Sequence, residues 1–229
     1  MSSRRGFPVV LSAASGTGKT TLSRLMLEGD DRLTLSISFT TRAPRGEEQN
    51  GDAYHFVDRD AFEEKIAQDD FIEYAEVFGN YYGSSRAWTC ETLDEGHDVL
   101  FDIDVQGGKQ IRKLYPDACL VFLVPPSMDV LENRLRNRGT DDEETVDLRL
   151  KTAREEIAEG LATYDYVLTN GRLDRALFDL TSIVRAHRLR ALDREKIHQR
   201  LLGEQTQAAI ARKQKPETKA GNKSRKQTT

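Results

Sequence analysis

An α/β domain built on a parallel sheet with helices on both faces is the fold class that this sequence predicts. Three observations carry the prediction. Short apolar runs alternate with stretches of helical period, a glycine-rich turn follows the first of those runs, and the later runs are continuous enough to be buried on both faces. With 229 residues, of which 38% are hydrophobic, the chain can bury the core of one such domain. No stretch approaches the roughly 18 uninterrupted apolar residues of a membrane span, and "MSSRRGFPVV" passes directly into a strand, so a soluble cytoplasmic protein is expected.

Taken in order, "FPVVLS" reads as a strand, and Leu22, Leu25 and Met26 recur at helical spacing until "EGDD" stops them. The segment from about 34 to 90 breaks the alternation. "LTLSISF", "YHFV" and "FIEYAEVFGNYYG" read as strands joined by polar turns, with one short helix that Asp60 and Glu63 would start at capping-box spacing. This is expected to be a small mixed insertion on the parallel core. "VLFDID", "ACLVFLVPP" and "YDYVLTN" return to buried strands, each followed by a helical stretch. A second insertion, from Ser127 to about Gly160, is helical by composition and rich first in arginine and then in acids. Cys90 and Cys119 lack metal-ligand spacing and fall inside regular segments, so buried thiols are expected.

The charge is unevenly placed. Arg212, Lys213, Lys215, Lys219, Lys223, Arg225 and Lys226 against Glu217 give the last stretch +6 in a chain of net charge -4, which leaves -10 for the rest. With no large apolar residue this basic tail is expected to be disordered. It also has no aromatic residue to stack on a base, so solvated disorder is expected in preference to nucleic-acid binding.

"SAASGTGKT", residues 12 to 20, carries the chemistry. Ala13, Ala14, Ser15, Gly16, Thr17, Gly18, Lys19 and Thr20 fit G-x-x-x-x-G-K-[ST] except that Ala13 stands for the first glycine. Between a strand and a helix, such a loop turns its backbone N–H groups toward phosphate oxygens; Lys19 reaches the β/γ-phosphates and Thr20 offers its hydroxyl to Mg²⁺. If Ala13 has negative φ, its methyl costs little. Asp102 and Asp104 are expected on one side of a strand, near its carboxyl end, where a carboxylate can hold the waters of Mg²⁺. Arg42 and Arg45, followed by Tyr54, form a set suited to a dianionic monophosphate, because two guanidinium forks keep their charge. Arg134 and Arg138 are four apart and share a helix face, with Arg149 on the next helical stretch; arginines on a mobile segment can close over transferring phosphates.

These stretches together resemble the guanylate kinases. "SFTTRAPRGEEQNGDAYHFV", "FIEYAEVFGNYYGSSR", "DIDVQG" and "RLRNRGTDDEE" carry the resemblance, which covers roughly residues 7 to 190. It implies a P-loop kinase three-layer fold, with a guanylate kinase domain over 1–190 made of a core, a GMP-binding region at about 34–90 and a helical lid at about 127–160; the tail over 191–229, expected to be helical and then disordered, falls outside the resemblance. It implies transfer of the γ-phosphoryl group of ATP to GMP, and to dGMP, with Mg²⁺, as a step of guanine nucleotide recycling. Non-catalytic scaffold modules share this fold, but Lys19, Thr20, Asp102 and the lid arginines are all kept here. Carried over by residue, the resemblance assigns Arg42, Arg45, Tyr54 and Tyr82 to the GMP phosphate. Ser38, Glu73, Ser84 and one of Asp102 or Asp104 go to guanine. Lys19, Arg134, Arg138 and Arg149 surround the transferred group, and Asn170 lies near adenine. The expected partners are GMP and ATP, with no membrane and with homo-oligomerisation left open.

Overall fold

The computed structural model describes residues 5–137, 142–190, 198 and 201–202. Two compact units divide the chain, Met1–Leu189 and Arg190–Thr229. Of the second, only Arg190, His198, Leu201 and Leu202 are described, so the expectations for the tail lie outside the described residues. Arg138, the second of the proposed lid arginines, also lies outside them.

In the first unit β1 (Pro8–Ala13) leads through the glycine loop to α1 (Lys19–Glu28), then β2 (Leu33–Leu35). The mixed insertion holds β3 (Phe39–Thr40), β4 (His55–Phe56), α2 (Arg59–Ala67), β5 (Phe71–Val77) and β6 (Asn80–Ser85). After it come α3 (Arg86–Asp94), β7 (Asp98–Asp102), α4 (Val105–Leu114), β8 (Cys119–Val124), α5 (Met128–Arg136), α6 (Glu143–Thr163), β9 (Tyr166–Thr169) and α7 (Leu173–Arg188).

The core sheet has the order β2-β7-β1-β8-β9, with every pairing parallel. Its central strand shows why the apolar runs are continuous. Val9 and Leu11 pack with Leu22 and Met26 of α1 and Leu180 and Val184 of α7 on one face. Val10 packs with Phe101, Ile111, Phe122 and Tyr164 on the other. Successive residues of a strand point to opposite faces, so a strand covered on both must be apolar throughout. Because β1 is central, its carboxyl end opens at the crevice beside β7 where α/β sheets receive ligands.

The insertion forms a second sheet, β4-β3-β6-β5, in which β3 pairs parallel with β4 while β6 pairs antiparallel with both β3 and β5. Two expectations are corrected here. "LTLSISF" is two strands: β2 belongs to the core sheet and β3 to the insertion, so the chain crosses between sheets at residues 36–38. The cap of α2 is Asp58, whose carboxylate accepts the Ala61 N–H, and Asp60 instead contributes charge to the first turn. An acid in the first turn favours the helix through its dipole without capping it.

The second insertion is α5 and α6. Leu131 and Leu135 of α5 pack with Val146 and Ala153 of α6 and with Ala14 of the glycine loop. At the far end of α6, the buried Tyr164 hydroxyl donates to Ser12 Oγ at 2.7 Å, and Ser12 Oγ donates to the Asp104 carbonyl at 3.2 Å. That relay holds together β1, the turn after β7 and the end of α6. Tyr164→Phe removes its first donor and should cost about 1 kcal/mol, or ~2–4 °C in thermal midpoint, a shift that differential scanning calorimetry reads.

Cys119 is buried and Cys90 half-buried, with Cys90 Sγ 3.8 Å from the Tyr115 hydroxyl; the two do not form a disulfide. The expected burial is thus full only for Cys119. Among the described residues no helix is long and apolar enough to cross a membrane.

Candidate active site

One cavity gathers the glycine loop, from Ala13 through Thr20, with Ser38, Tyr54, Glu73, Tyr82, Asp102 and Asp104. The loop enters α1 through Gly18, which has φ 97° and ψ 23°, and no side chain caps the helix. The first N–H groups of α1 therefore have no side-chain acceptor, an arrangement suited to phosphate oxygens. Gly18 is required twice over. Its backbone is left-handed, and a Cβ there would lie 2.7 Å from Asn170 Nδ2. Ala13 ends β1 with negative φ, so the position that departs from the glycine pattern carries no backbone strain.

Lys19 Nζ contacts Asp102 Oδ1 at 2.7 Å and donates to the Ile103 carbonyl at 2.9 Å. Ser23 Oγ donates to the other Asp102 oxygen at 3.1 Å. The two aspartates are not on one strand, which corrects the expectation drawn from their spacing. β7 ends at Asp102, while Asp104 is the cap of α4, accepting the Gly107 N–H at 2.9 Å and Gln106 Nε2 at 3.0 Å. A break in the strand after Asp102 turns the later carboxylate onto the helix start, where it offsets otherwise unpaired N–H groups.

Arg134 and Asn170 also differ from the expected arrangement. Arg134 donates from Nη1 to the Thr17 carbonyl at 3.2 Å and from Nη2 to the Asn170 carbonyl at 3.0 Å. Asn170 Nδ2 donates to the same Thr17 carbonyl at 2.8 Å. Both side chains brace the loop from behind, and neither lines the cavity. Arg149 is half-buried on α6 and is likewise absent from the cavity wall.

The opposite wall comes from the small sheet. Glu73 on β5 is 3% exposed and accepts the Ser84 hydroxyl from β6 at 2.6 Å. Its carboxylate approaches Gly107 so closely that a Cβ there would collide with it, so the third residue of α4 must lack a side chain. Burial pushes the Glu73 carboxyl up to about 7, against the lowering effect of the Ser84 hydrogen bond, and the charge of Asp104 adds to the rise. Ser38 is buried nearby, and the rings of Tyr54 and Tyr82 meet edge to face at 5.9 Å. Burial raises the Tyr54 phenol above its usual value, so it stays a hydrogen-bond donor.

The Arg42 guanidinium lies 5.2 Å from the Tyr54 ring centroid and donates from Nη2 to Glu48 Oε1 at 3.0 Å. Glu48 Oε2 accepts the Arg45 backbone N–H at 2.8 Å, so one carboxylate orients both arginine positions. The Arg45 residue itself is exposed. Glu48 was not visible as a functional residue in sequence, where "RGEEQ" reads as a solvated turn. Spacing of three from Arg45 was the available signal.

Glu156 of α6 was missed as well. It lines the cavity, with Asp104 and Lys19 acting on it. Burial, reinforced by Asp104 and opposed by Lys19, pushes its carboxyl up to about 7. Among acids scattered along α6, its position on the buried face was the sole sequence-level signal.

A family model described as Guanylate kinase matches residues 5–187. Guanylate kinase of Nitrosospira multiformis is 44% identical over 210 residues, covering 92% of this chain and 100% of that protein. Guanylate kinase of Nitrosomonas europaea is 48% identical over 193 residues, covering 84% of this chain and 95% of that one. The crystal structure of guanylate kinase from Anaplasma phagocytophilum superposes with a TM-score of 0.74 at 31% identity, covering 89% of this chain and 98% of that one.

Proposed function

The chain belongs to the guanylate kinase family and transfers the γ-phosphoryl group of ATP to GMP, giving ADP and GDP, and we propose how its cleft divides that work. The glycine loop and Lys19 hold the donor phosphates. Arg42, Arg45, Tyr54 and Tyr82 hold the acceptor phosphate, and Glu73, Ser38, Ser84 and Asp104 read guanine. dGMP is a second acceptor, since none of these assignments uses the ribose 2′-hydroxyl. Arg149 of α6 serves the transferring group, a role proposed also for Arg138, which lies outside the described residues. In this reading Arg134 and Asn170 act on the donor site through Thr17, whose carbonyl both hold.

The observation that carries the reading is a buried carboxylate, Glu73, on the wall of the cavity that also holds the phosphate loop. A carboxylate accepts and never donates, so it pairs with the N1–H and exocyclic amine of guanine, a pair of donors that adenine does not present. No general base is needed for the transfer. A phosphate oxygen is already a charged nucleophile, and catalysis consists of in-line alignment and electrostatic stabilisation.

Mg²⁺ fits the donor side. Thr20 and Asp102 offer only hard oxygen donors on the cavity wall, the chemistry that Mg²⁺ takes, and Asp102 would hold it through water because Lys19 and Ser23 occupy its two oxygens. When bound with ATP the ion supplies charge neutralisation on the phosphates. A cytoplasmic setting belongs to the same reading, because GMP and ATP are nucleotides of the cell interior.

The acceptor profile tests the assignment. With ATP as donor, GMP should exceed AMP, UMP and CMP in kcat/KM by several orders of magnitude, since an unpaired buried polar group rejects an analogue by ~10⁴-fold. Comparable rates with AMP would remove Glu73 from its role. Glu48→Gln should raise KM for GMP roughly five- to tenfold with a smaller change in kcat, corresponding to about 1 kcal/mol of lost orientation at Arg42. Steady-state kinetics with varied GMP at saturating ATP measure this, and an unchanged KM would show that Arg42 orients itself.

A further inference from the structure

We propose that Gln110 is a positioning residue for guanine recognition, its side-chain amide holding the free edge of β5 at Tyr74 and so aiming the neighbouring Glu73 into the cavity. The inference rests on the reading of Glu73 as the guanine acceptor. In that reading one buried carboxylate must stand at a fixed place, yet the strand that carries it has a sheet partner on only one side, since β5 ends the order β4-β3-β6-β5. A strand edge leaves a row of backbone N–H and C=O groups without a ladder partner.

Gln110 supplies that partner. Its Nε2 donates to the Tyr74 carbonyl at 2.7 Å, and its Oε1 accepts the Tyr74 N–H at 3.2 Å. The N–H and C=O of one residue in an antiparallel strand face the same way, so a primary amide, with donor and acceptor side by side, satisfies both as a neighbouring strand would. The same Nε2 lies 3.5 Å from the Gln106 carbonyl one turn earlier, which keeps the side chain along α4. Gly107 and Gln110 follow Asp104 at intervals of three, so the cap, the glycine and the amide run down one side of the helix. That side presents to β5 a recess at Gly107, which admits the Glu73 carboxylate, and one turn on the amide that fixes the next residue.

The pairing matters because β5 is irregular at Glu73. Phe71 opposes Ser85 and Glu73 opposes Ser84, which leaves Ile72 as an extra residue in the ladder. Ile72 is buried with Val10 and Phe101 of the core sheet, while Glu73 takes the Ser84 hydroxyl and stands on the cavity wall. A bulge of this kind re-aims side chains, and a slip of one residue would turn Glu73 to the other face. Arg86 holds the entry to the bulge, donating from Nη2 to the Phe71 carbonyl at 2.8 Å. Gln110 holds its exit.

Gln110→Met keeps the length of the side chain and removes both hydrogen bonds to Tyr74. In the full chain it should raise KM for GMP about tenfold with kcat within about threefold of wild type, leave kcat/KM for AMP within about twofold, and quicken amide hydrogen exchange at Tyr74. Combined with Glu73→Gln it should add less than about twofold to the loss of GMP efficiency, because the group that it positions is already blunted. A side chain that served only the stability of the fold would lower both acceptors together. The proposal is overturned if GMP and AMP suffer alike, if the two losses multiply in the double variant, or if Tyr74 exchange is unchanged. Glu73→Gln alone tests the underlying reading: wild-type efficiency with GMP there removes guanine recognition from Glu73, whereas a large loss there with wild-type behaviour in Gln110→Met removes only the role of Gln110. Where Gln110→Met does not fold, Gln110→Asn decides in its place, since its amide is one methylene too short for Tyr74 and should give the same split between GMP and AMP.

Discussion

Lys19→Ala should lower kcat by at least about a thousandfold, or ~4 kcal/mol, while GMP binding stays within about twofold of wild type. The separation of effects follows from the geometry. Lys19 belongs to the glycine loop at the start of α1, and the residues proposed to hold GMP come from the small sheet and the turn after β7. In the structure the ammonium is already placed by Asp102 and the Ile103 carbonyl, so it waits at the cavity without a reorganisation step. Removing it takes away a cation aimed at charge that spreads over the transferring phosphoryl oxygens, where a donor in a desolvated site acts most strongly. Asp102 would remain, uncompensated and next to the phosphates, adding repulsion to the loss. Single-turnover kinetics, with GMP binding measured by calorimetry, check both halves. Near-normal turnover would remove the loop from the donor site, and a parallel loss of GMP affinity would show that the two walls are not independent.

How much of this site could be read from sequence depends on how local each constraint is. The glycine loop was legible because a strand, a tight turn and a helix start are set by neighbouring residues, and Gly18 answers a left-handed backbone that its own position demands. Glu73 was expected from the family resemblance, and the Arg42 pair from two guanidinium forks followed by Tyr54. Asp104 was misjudged because alternation continues past the end of β7, and only the Gly107 N–H that it accepts shows that the strand has already ended. "LTLSISF" misled in the same way: its alternation is unbroken while the chain passes from the core sheet to the small one, a tertiary event with no local signal. Glu48 and Glu156 lie at the other extreme. Each is an acid in a charged, exposed-looking stretch, and each acquires its place only when folding sets it against Arg42 or on the cavity wall. For Glu156 the glycine loop that shares that wall is far away in sequence, beyond any window that periodicity examines.

Glu73→Gln should lower kcat/KM for GMP by roughly one to two decades and, in the substrate-free protein above neutrality, raise stability. The loss comes from hydrogen-bond polarity. Gln keeps the size and one acceptor, which Ser84 can still use, but it turns an NH₂ donor toward guanine donors, and an opposed buried hydrogen bond to a charged group costs on the order of 1.5–3 kcal/mol. The gain comes from the buried charge itself. Burial raises the Glu73 carboxyl from an ordinary value near 4.5 to about 7. The folded state therefore holds a proton that the unfolded chain releases between those values, and stability declines as pH rises through that window. At pH 8 the penalty amounts to about 3 kcal/mol, as an order of magnitude, and an uncharged amide does not bear it. Wild type and variant should thus melt alike near pH 4 and diverge by several degrees at pH 8, the variant higher. GMP, which needs the ionised carboxylate, should bind wild type more weakly as pH falls below about 7, with a slope that Glu73→Gln lacks. Discrimination against AMP should narrow in the variant, since the group that adenine leaves unsatisfied is gone. Melting curves at the two pH values, with GMP and AMP kinetics on the same preparations, measure all of this. If GMP efficiency stayed within about twofold of wild type, guanine would have to be read by Ser38 and Asp104 instead.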